Sequence, residues 1–157
     1  MEKIKTTEGD MLVRDARFGI VASRFNDFIV NSLLDASVRC LRQHGAVDAD
    51  IEIVRVPGAF EMPLAVEKLA ATRRFDGIIA LGAVIRGGTP HFEYVAGECV
   101  RGIAAAGQRH GVPIGFGVLT VDTIEQAIER AGTKAGNKGE EATLAAIEMV
   151  SLLRRMD

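Results

Sequence analysis

Two cysteines in 157 residues are too few for a disulfide framework, and no cluster of Cys and His has metal-ligand spacing. Cys40 and Cys99 each fall on the apolar stripe of a predicted helix, where a small core residue is the expected role. No apolar run approaches the roughly 18 to 20 residues of a membrane span, so no membrane partner is expected. The first ten residues lack the apolar core of a signal peptide, which points to the cytoplasm. Lysine and arginine nowhere form a run, and a formal charge of -2 argues against nucleic acid as a partner. Neither a Walker A pattern nor a Gly-x-Gly-x-x-Gly opening the first helix is present, which leaves little support for nucleotide binding. No repeat, linker or low-complexity tract divides the chain, so residues 1–157 are expected to form one domain around a small-molecule site.

Four short runs rich in apolar and β-branched residues alternate with longer segments of helical period: Arg17 to Ser23, Ile51 to Val56, Gly77 to Ile85 and Val112 to Val121. Their near-continuous apolar character suits parallel strands covered on both faces. Val30, Leu33, Leu34, Val38 and Leu41 make the stripe of a first helix that stops at Gly45, a residue suited to a helix C-cap. Phe92, Val95, Ala96, Cys99 and Ile103 make another stripe. A short helix is predicted over Thr123 to Ala131, capped by Asp122 or Thr123, and a final one carries Ala142, Ala145, Ala146, Met149, Leu152 and Leu153. The order βαβαβαβαα with right-handed crossovers gives a three-layer α/β sandwich of flavodoxin-like kind on a four-stranded parallel core sheet. The edges of so small a sheet need cover. Met11 to Arg14, short and apolar, is read as a strand that extends a neighbour's sheet edge.

In open parallel sheets the ligand crevice lies beyond the carboxyl ends of the strands, so the residues at each strand exit are the candidates for chemistry. At the first exit, Phe25 is flanked by polar turn residues; it either stacks on a planar ligand or staples the first helical turn. At the second, Pro57 and Pro63 bracket Gly58-Ala59-Phe60-Glu61, a rigid loop whose free amides and carbonyls can bond a heterocycle. Glu61 there also suits the dipole of the next helix. The third exit, Gly82 to Tyr94, is the most informative. Thr89 has the chemistry of an N-cap and Pro90 that of a first helical residue, while Gly87 and Gly88 let backbone amides converge on an anion such as phosphate. His91 then falls in the first turn, where the positive end of the helix favours a neutral imidazole able to exchange protons; an ordinary exposed loop histidine fits the same residues. The fourth strand carries Phe116 between two glycines. Beyond it the glycine-rich segment Glu129 to Gly139 spaces out Arg130, Lys134 and Lys138, which can hold a phosphate or simply favour a helix end and a solvated turn.

Taken together, Ser23 to Asn26, Val56 to Pro63, Gly82 to His91 and Glu125 to Gly139 resemble the lumazine synthase family, in order and spacing and over nearly the whole chain from about Arg17 onward. The resemblance implies a transferase of riboflavin biosynthesis that joins 5-amino-6-(D-ribitylamino)uracil to 3,4-dihydroxy-2-butanone 4-phosphate, releasing phosphate and water, with no cofactor and no metal. It implies that Phe25 stacks on the pyrimidine, that Ala59, Phe60 and Glu61 hold the ribityl chain and nearby polar atoms, and that Ala83, Val84 and Ile85 meet the ring edge through backbone. Gly88, Thr89 and Arg130 are implied as phosphate ligands, His91 as the proton-transfer residue and Lys138 as a supporting contact. The implied pocket spans two subunits, with Phe116, Arg130 and Lys138 from a neighbour of the chain that supplies His91. The implied assembly is a homopentamer, alone or as a hollow icosahedral shell of twelve pentamers, with riboflavin synthase as cargo or pathway partner. The short Gly136 to Gly139 link, without the insertion that looks typical of free fungal pentamers, favours the shell. Gly88 is a departure, since many members carry a side chain there, and it leaves that contact to the backbone amide. Two other functions fit these residues: a different phosphosugar lyase or isomerase on the same fold, and a flavin- or lumazine-binding or shell-forming homologue without catalysis.

Overall fold

A computed structural model describes residues 3–157. Its elements are β1 (Phe18–Ser23), α1 (Asp27–Gln43), β2 (Ile51–Val56), α2 (Met62–Ala71), β3 (Gly77–Ile85), α3 (His91–His110), β4 (Ile114–Val121), α4 (Ile124–Glu129), β5 (Ala131–Thr133), β6 (Gly136–Asn137) and α5 (Lys138–Met156). The sheet has the order β2-β1-β3-β4, and every pairing in it is parallel. Phe18 lies opposite Ile51 on one side and Gly77 on the other, so the two central strands enter the sheet level with each other. The chain runs from β1 to one edge and from β3 to the other. The strand order therefore reverses between β1 and β3, which is where such sheets open a crevice.

The central strands are continuously apolar because both of their faces are covered. Alternate residues divide between two cores. Ile20, Ile79 and Leu81 pack with Val30, Leu33, Leu41 and Ile147 on the α1/α5 side, whereas Val21, Ile78 and Ala80 pack with Met62, Val66 and Ile103 on the α2/α3 side. Burying a side chain of this size contributes about 1.5 to 3 kcal/mol, which makes these layers the main stabilising term. Cys40 and Cys99 are buried free thiols in helices α1 and α3, and burial pushes both up to about 11. β2, an edge strand, is different: Ile53 is 45% exposed. No helix among the described residues is long and apolar enough to cross a membrane.

Several expectations shift. Strands β1 and β4 start at Phe18 and Ile114 rather than Arg17 and Val112. The end of α1 has His44 as C-cap, with Gly45 one residue beyond at φ 112°. The buried face of α5 runs through Gly139, Ala142, Thr143, Ala146, Ile147 and Val150, while Ala145 and Met149 are exposed. Hydropathy missed this face because two of its positions are glycine and threonine. A Cβ on Gly139 would come within 2.2 Å of the Leu33 carbonyl oxygen, so the bare backbone lets α5 lie directly on α1. Close by, the buried hydroxyls of Ser37 and Thr143 are 2.6 Å apart, and Thr143 donates to the Gly139 carbonyl. The glycine-rich connection is not an open loop. It forms the antiparallel β5–β6 hairpin, entered from an α4 whose N-cap Thr123 makes a full capping box with Gln126. Ahead of β1, the Val13 amide donates to the His44 carbonyl at 2.8 Å and Leu12 and Val13 line a cavity with Phe18, Ile147 and Val150, while Met11 and Leu12 remain 38% and 54% exposed.

Candidate active site

At the carboxyl end of the sheet, the exits of β1, β2 and β3 and the first turns of α3 enclose a crevice of about 640 Å³. After β1, two backbone bonds keep the chain beside the β2 exit: Arg24 N–H donates to Val56 O at 2.8 Å and Phe25 N–H to Pro57 O at 3.0 Å. Asn26 then turns the chain into α1 in the left-handed region, φ 62° and ψ 45°, which asparagine tolerates better than most residues. Its Nδ2 donates to the Ala83 carbonyl at 3.0 Å and so ties the β1 exit to that of β3. Phe25, 71% exposed, does not staple the helix; its ring stands at the crevice wall instead.

The β2 exit forms a single 3-10 turn over Ala59–Glu61 that leads into α2. Ala59 is buried, and Phe60 and Glu61 face the crevice. Glu61 occupies the N-cap position of α2 without a side-chain cap bond, which leaves its carboxylate free for a ligand and also near the positive end of the helix. Ala83, Val84 and Ile85 line the opposite wall.

The loop after β3 is anchored where Arg86 N–H donates to Val121 O at 2.8 Å. Among the described residues, no backbone carbonyl accepts from the amides of Gly87, Gly88 or Thr89, which stay available to an anion. The cap itself is corrected: α3 starts at His91 with Pro90 as N-cap, φ -71° and ψ 4°, and no side chain caps it. Prediction and structure differ by one residue here, and the Thr89 hydroxyl is left to line the crevice. His91 is the first residue of α3, exposed to the same space.

One chain thus brings together Phe25, Ala59, Phe60, Glu61, Ala83, Val84, Ile85, Thr89 and His91, with Gly88 between the lining residues Gly87 and Thr89. It does not bring in Phe116, Arg130 or Lys138. Phe116 lies opposite Ala80 in the sheet and packs against the α2/α3 core. Arg130 is the C-cap of α4, its Nη1 donating to Gln126 O at 3.0 Å, and Lys138 N–H donates to Arg130 O at 2.8 Å at the base of the hairpin. No lysine or arginine lines the crevice. Gly58 and Gly87, read from the sequence as parts of the heterocycle loop and the anion loop, line it too, and so do Asn26, Phe92, Tyr94 and Val95, to which sequence reasoning gave no site role. Phe92 and Val95 were masked by their fit to a core stripe. Tyr94 could have been found from its spacing, one helical turn after His91 on the same face. Among the described residues no three His, Cys, Asp or Glu side chains gather as a metal site would require.

An open parallel sheet, a switch-point crevice walled by aromatic rings, and a histidine beside free loop amides define an α/β enzyme site for a planar ring and an anionic group. Residues 15–154 match the family model described as 6,7-dimethyl-8-ribityllumazine synthase. A 6,7-dimethyl-8-ribityllumazine synthase of Halorhodospira halophila (strain DSM 244 / SL1) is 57% identical over 155 residues, covering 98% of this chain and 99% of that protein. The chain belongs to the 6,7-dimethyl-8-ribityllumazine synthase family.

Proposed function

We propose that the protein condenses 5-amino-6-(D-ribitylamino)uracil with 3,4-dihydroxy-2-butanone 4-phosphate to give 6,7-dimethyl-8-ribityllumazine, phosphate and water, as a transferase of riboflavin biosynthesis. The observation that carries this reading is the convergence of Phe25, the 59–61 turn, the 83–85 strand end and His91 on one crevice in a member of this family. Phe25 stacks on the pyrimidine, Ala59 to Glu61 hold the ribityl chain, and the backbone of Ala83 to Ile85 meets the ring edge. Phosphate rests on the Gly88 and Thr89 amides and on Arg130.

The aminouracil amine attacks the ketone, and loss of water gives an imine. Departure of phosphate and attack of the second amine then close the ring, with loss of a further water. Each step transfers a proton, and His91 is the group at the crevice suited to it. A positioned acid–base residue contributes about 10² to 10⁴, and holding both substrates together accounts for much of the remainder. Supplying both substrates and following the absorbance and fluorescence of the bicyclic product tests the reading. Consumption of the butanone phosphate alone would instead identify an isomerase or lyase, and binding without product a carrier.

The active unit is a homo-oligomer, a pentamer that packs into an icosahedral shell, with each crevice completed by a neighbour's Phe116, Arg130 and Lys138. The absence of lysine and arginine from an anion site supports a shared pocket. So do the unpaired edge of β2 and the outward Phe28 and Leu64, 76% and 78% exposed. Riboflavin synthase, which consumes the product, is the partner expected in the cytoplasm. Native mass spectrometry decides the assembly; an active monomer would sink the shared site.

A further inference from the structure

We propose that Arg86 is a positioning residue for the phosphate end of the crevice: it holds Glu93 and Asp122 in pairs, so that neither carboxylate competes with an anionic substrate for the start of α3. The inference rests on the functional reading above. Arg86 Nε donates to Asp122 Oδ1 at 2.8 Å, its Nη1 pairs with Glu93, and its guanidinium carbon lies 4.4 Å from the centroid of the Phe92 ring, itself part of the crevice wall. Isolated exposed ion pairs contribute little. Here one planar cation engages a carboxylate at the β4 exit, another in the first turn of α3, and an aromatic face, which together leave it a single orientation.

The arrangement matters because of what surrounds it. A helix N-terminus attracts anions, and Glu93, third residue of α3, is an anion already there. The Arg86 guanidinium beside Glu93 holds its carboxyl below the usual carboxylate range, which favours the charged form. Without Arg86, Glu93 and Asp122 would present two uncompensated negative charges near the Gly87 to Thr89 loop. The loop lies open on that side: a Cβ on Gly87 or Gly88 would meet no atom within 4 Å.

The test uses the intact oligomer. Inorganic phosphate affinity is measured by titration calorimetry, and KM is measured for each substrate separately. Arg86→Met is expected to weaken phosphate binding and raise KM for the butanone phosphate about tenfold, as two unpaired carboxylates near a helix N-terminus would, with KM for the aminouracil unchanged. Adding Glu93→Gln should recover at least half of the lost affinity on a logarithmic scale. A merely structural role for Arg86 would allow no such rescue, because glutamine cannot rebuild the network. Phosphate affinity within twofold of wild type in Arg86→Met, equal weakening of both substrates, or no recovery in the double variant would each overturn the proposal. If Arg86→Met does not fold, Glu93→Gln alone decides: phosphate affinity equal to or tighter than wild type supports the proposal, and a loss beyond threefold overturns it. A wild-type oligomer that neither binds phosphate nor forms product overturns the functional reading itself. Product formation with an unaltered Arg86→Met removes only the role of Arg86.

Discussion

The crevice at the carboxyl end of the sheet and the hairpin of β5 and β6 are built by opposite means. In the crevice, parallel register fixes three strand exits side by side, and the Asn26 to Ala83 bond closes them into one wall. The hairpin belongs to no part of that sheet. It is set by helix contacts, through the close approach of Gly139 to α1 and the Ser37–Thr143 hydroxyl pair. The crevice has a histidine, aromatic rings and unclaimed amides but no lysine or arginine, whereas the hairpin has Arg130 and Lys138 but no crevice. Arg130 and Lys138 do not line the crevice of their own chain, so in the proposed reading chemistry depends on a second copy bringing its hairpin to the first copy's crevice.

The sharpest way to break this comparison is at His91. His91→Ala should lower kcat about 100-fold, near the lower end for an acid–base group because the attacking amine is already a good nucleophile. Its affinity for inorganic phosphate should stay as in wild type, and an unchanged kcat would remove His91 from the mechanism. Next is the hairpin: Arg130→Ala should raise KM for the phosphate substrate about 30-fold, the size of a charge-assisted hydrogen bond of roughly 2 kcal/mol, and spare the aminouracil. Mixing the His91 and Arg130 variants should restore part of the activity through hybrid interfaces. Well-mixed hetero-oligomers with none would show that both residues act within one chain.

A smaller effect lies in the wall. Asn26→Ala loses the bond to Ala83 and meets an unfavourable left-handed backbone, for about 2 kcal/mol of stability in denaturant unfolding. Asn26→Gly should recover the conformational part. At the hairpin approach, Thr123→Ala removes the capping box of α4 and should cost about 1 kcal/mol by the same measurement while leaving the crevice alone. The last effect, absent at neutral pH, belongs to the two buried thiols of α1 and α3. Cys40 and Cys99 are pushed up to about 11 from an ordinary value of 9.0. A raised folded value favours the thiol form, so that stability is intact below pH 9 and falls as pH rises through 11 and the unfolded chain ionises first. Replacing both with Ala should flatten this limb of a stability-versus-pH curve, and iodoacetamide should leave both native thiols unmodified at pH 8.

Most of the architecture was legible because the central strands are buried on both faces and therefore read as plain apolar runs. The buried face of α5 was not, since Gly139 and Thr143 earn their burial through a close backbone approach and a hydroxyl pair that hydropathy does not register. Turn chemistry located the exits and their candidate residues but set the start of α3 one residue early, because Pro90 fits either side of a helix boundary. Asn26 was visible as a turn residue; its reach to Ala83 is a contact over 57 positions that local pattern does not contain.

Gly87 and Gly88 have a further consequence. Neither has a positive φ, and a Cβ at either would meet open space, so folding demands glycine at neither position. The loop is thus a stretch where selection can revise ligand preference without renegotiating the fold. A side chain with an amide or hydroxyl at position 88 would add a contact to whatever anion lies over the loop, and a bulky one would narrow the range of phosphate esters admitted, with the sheet beneath unchanged.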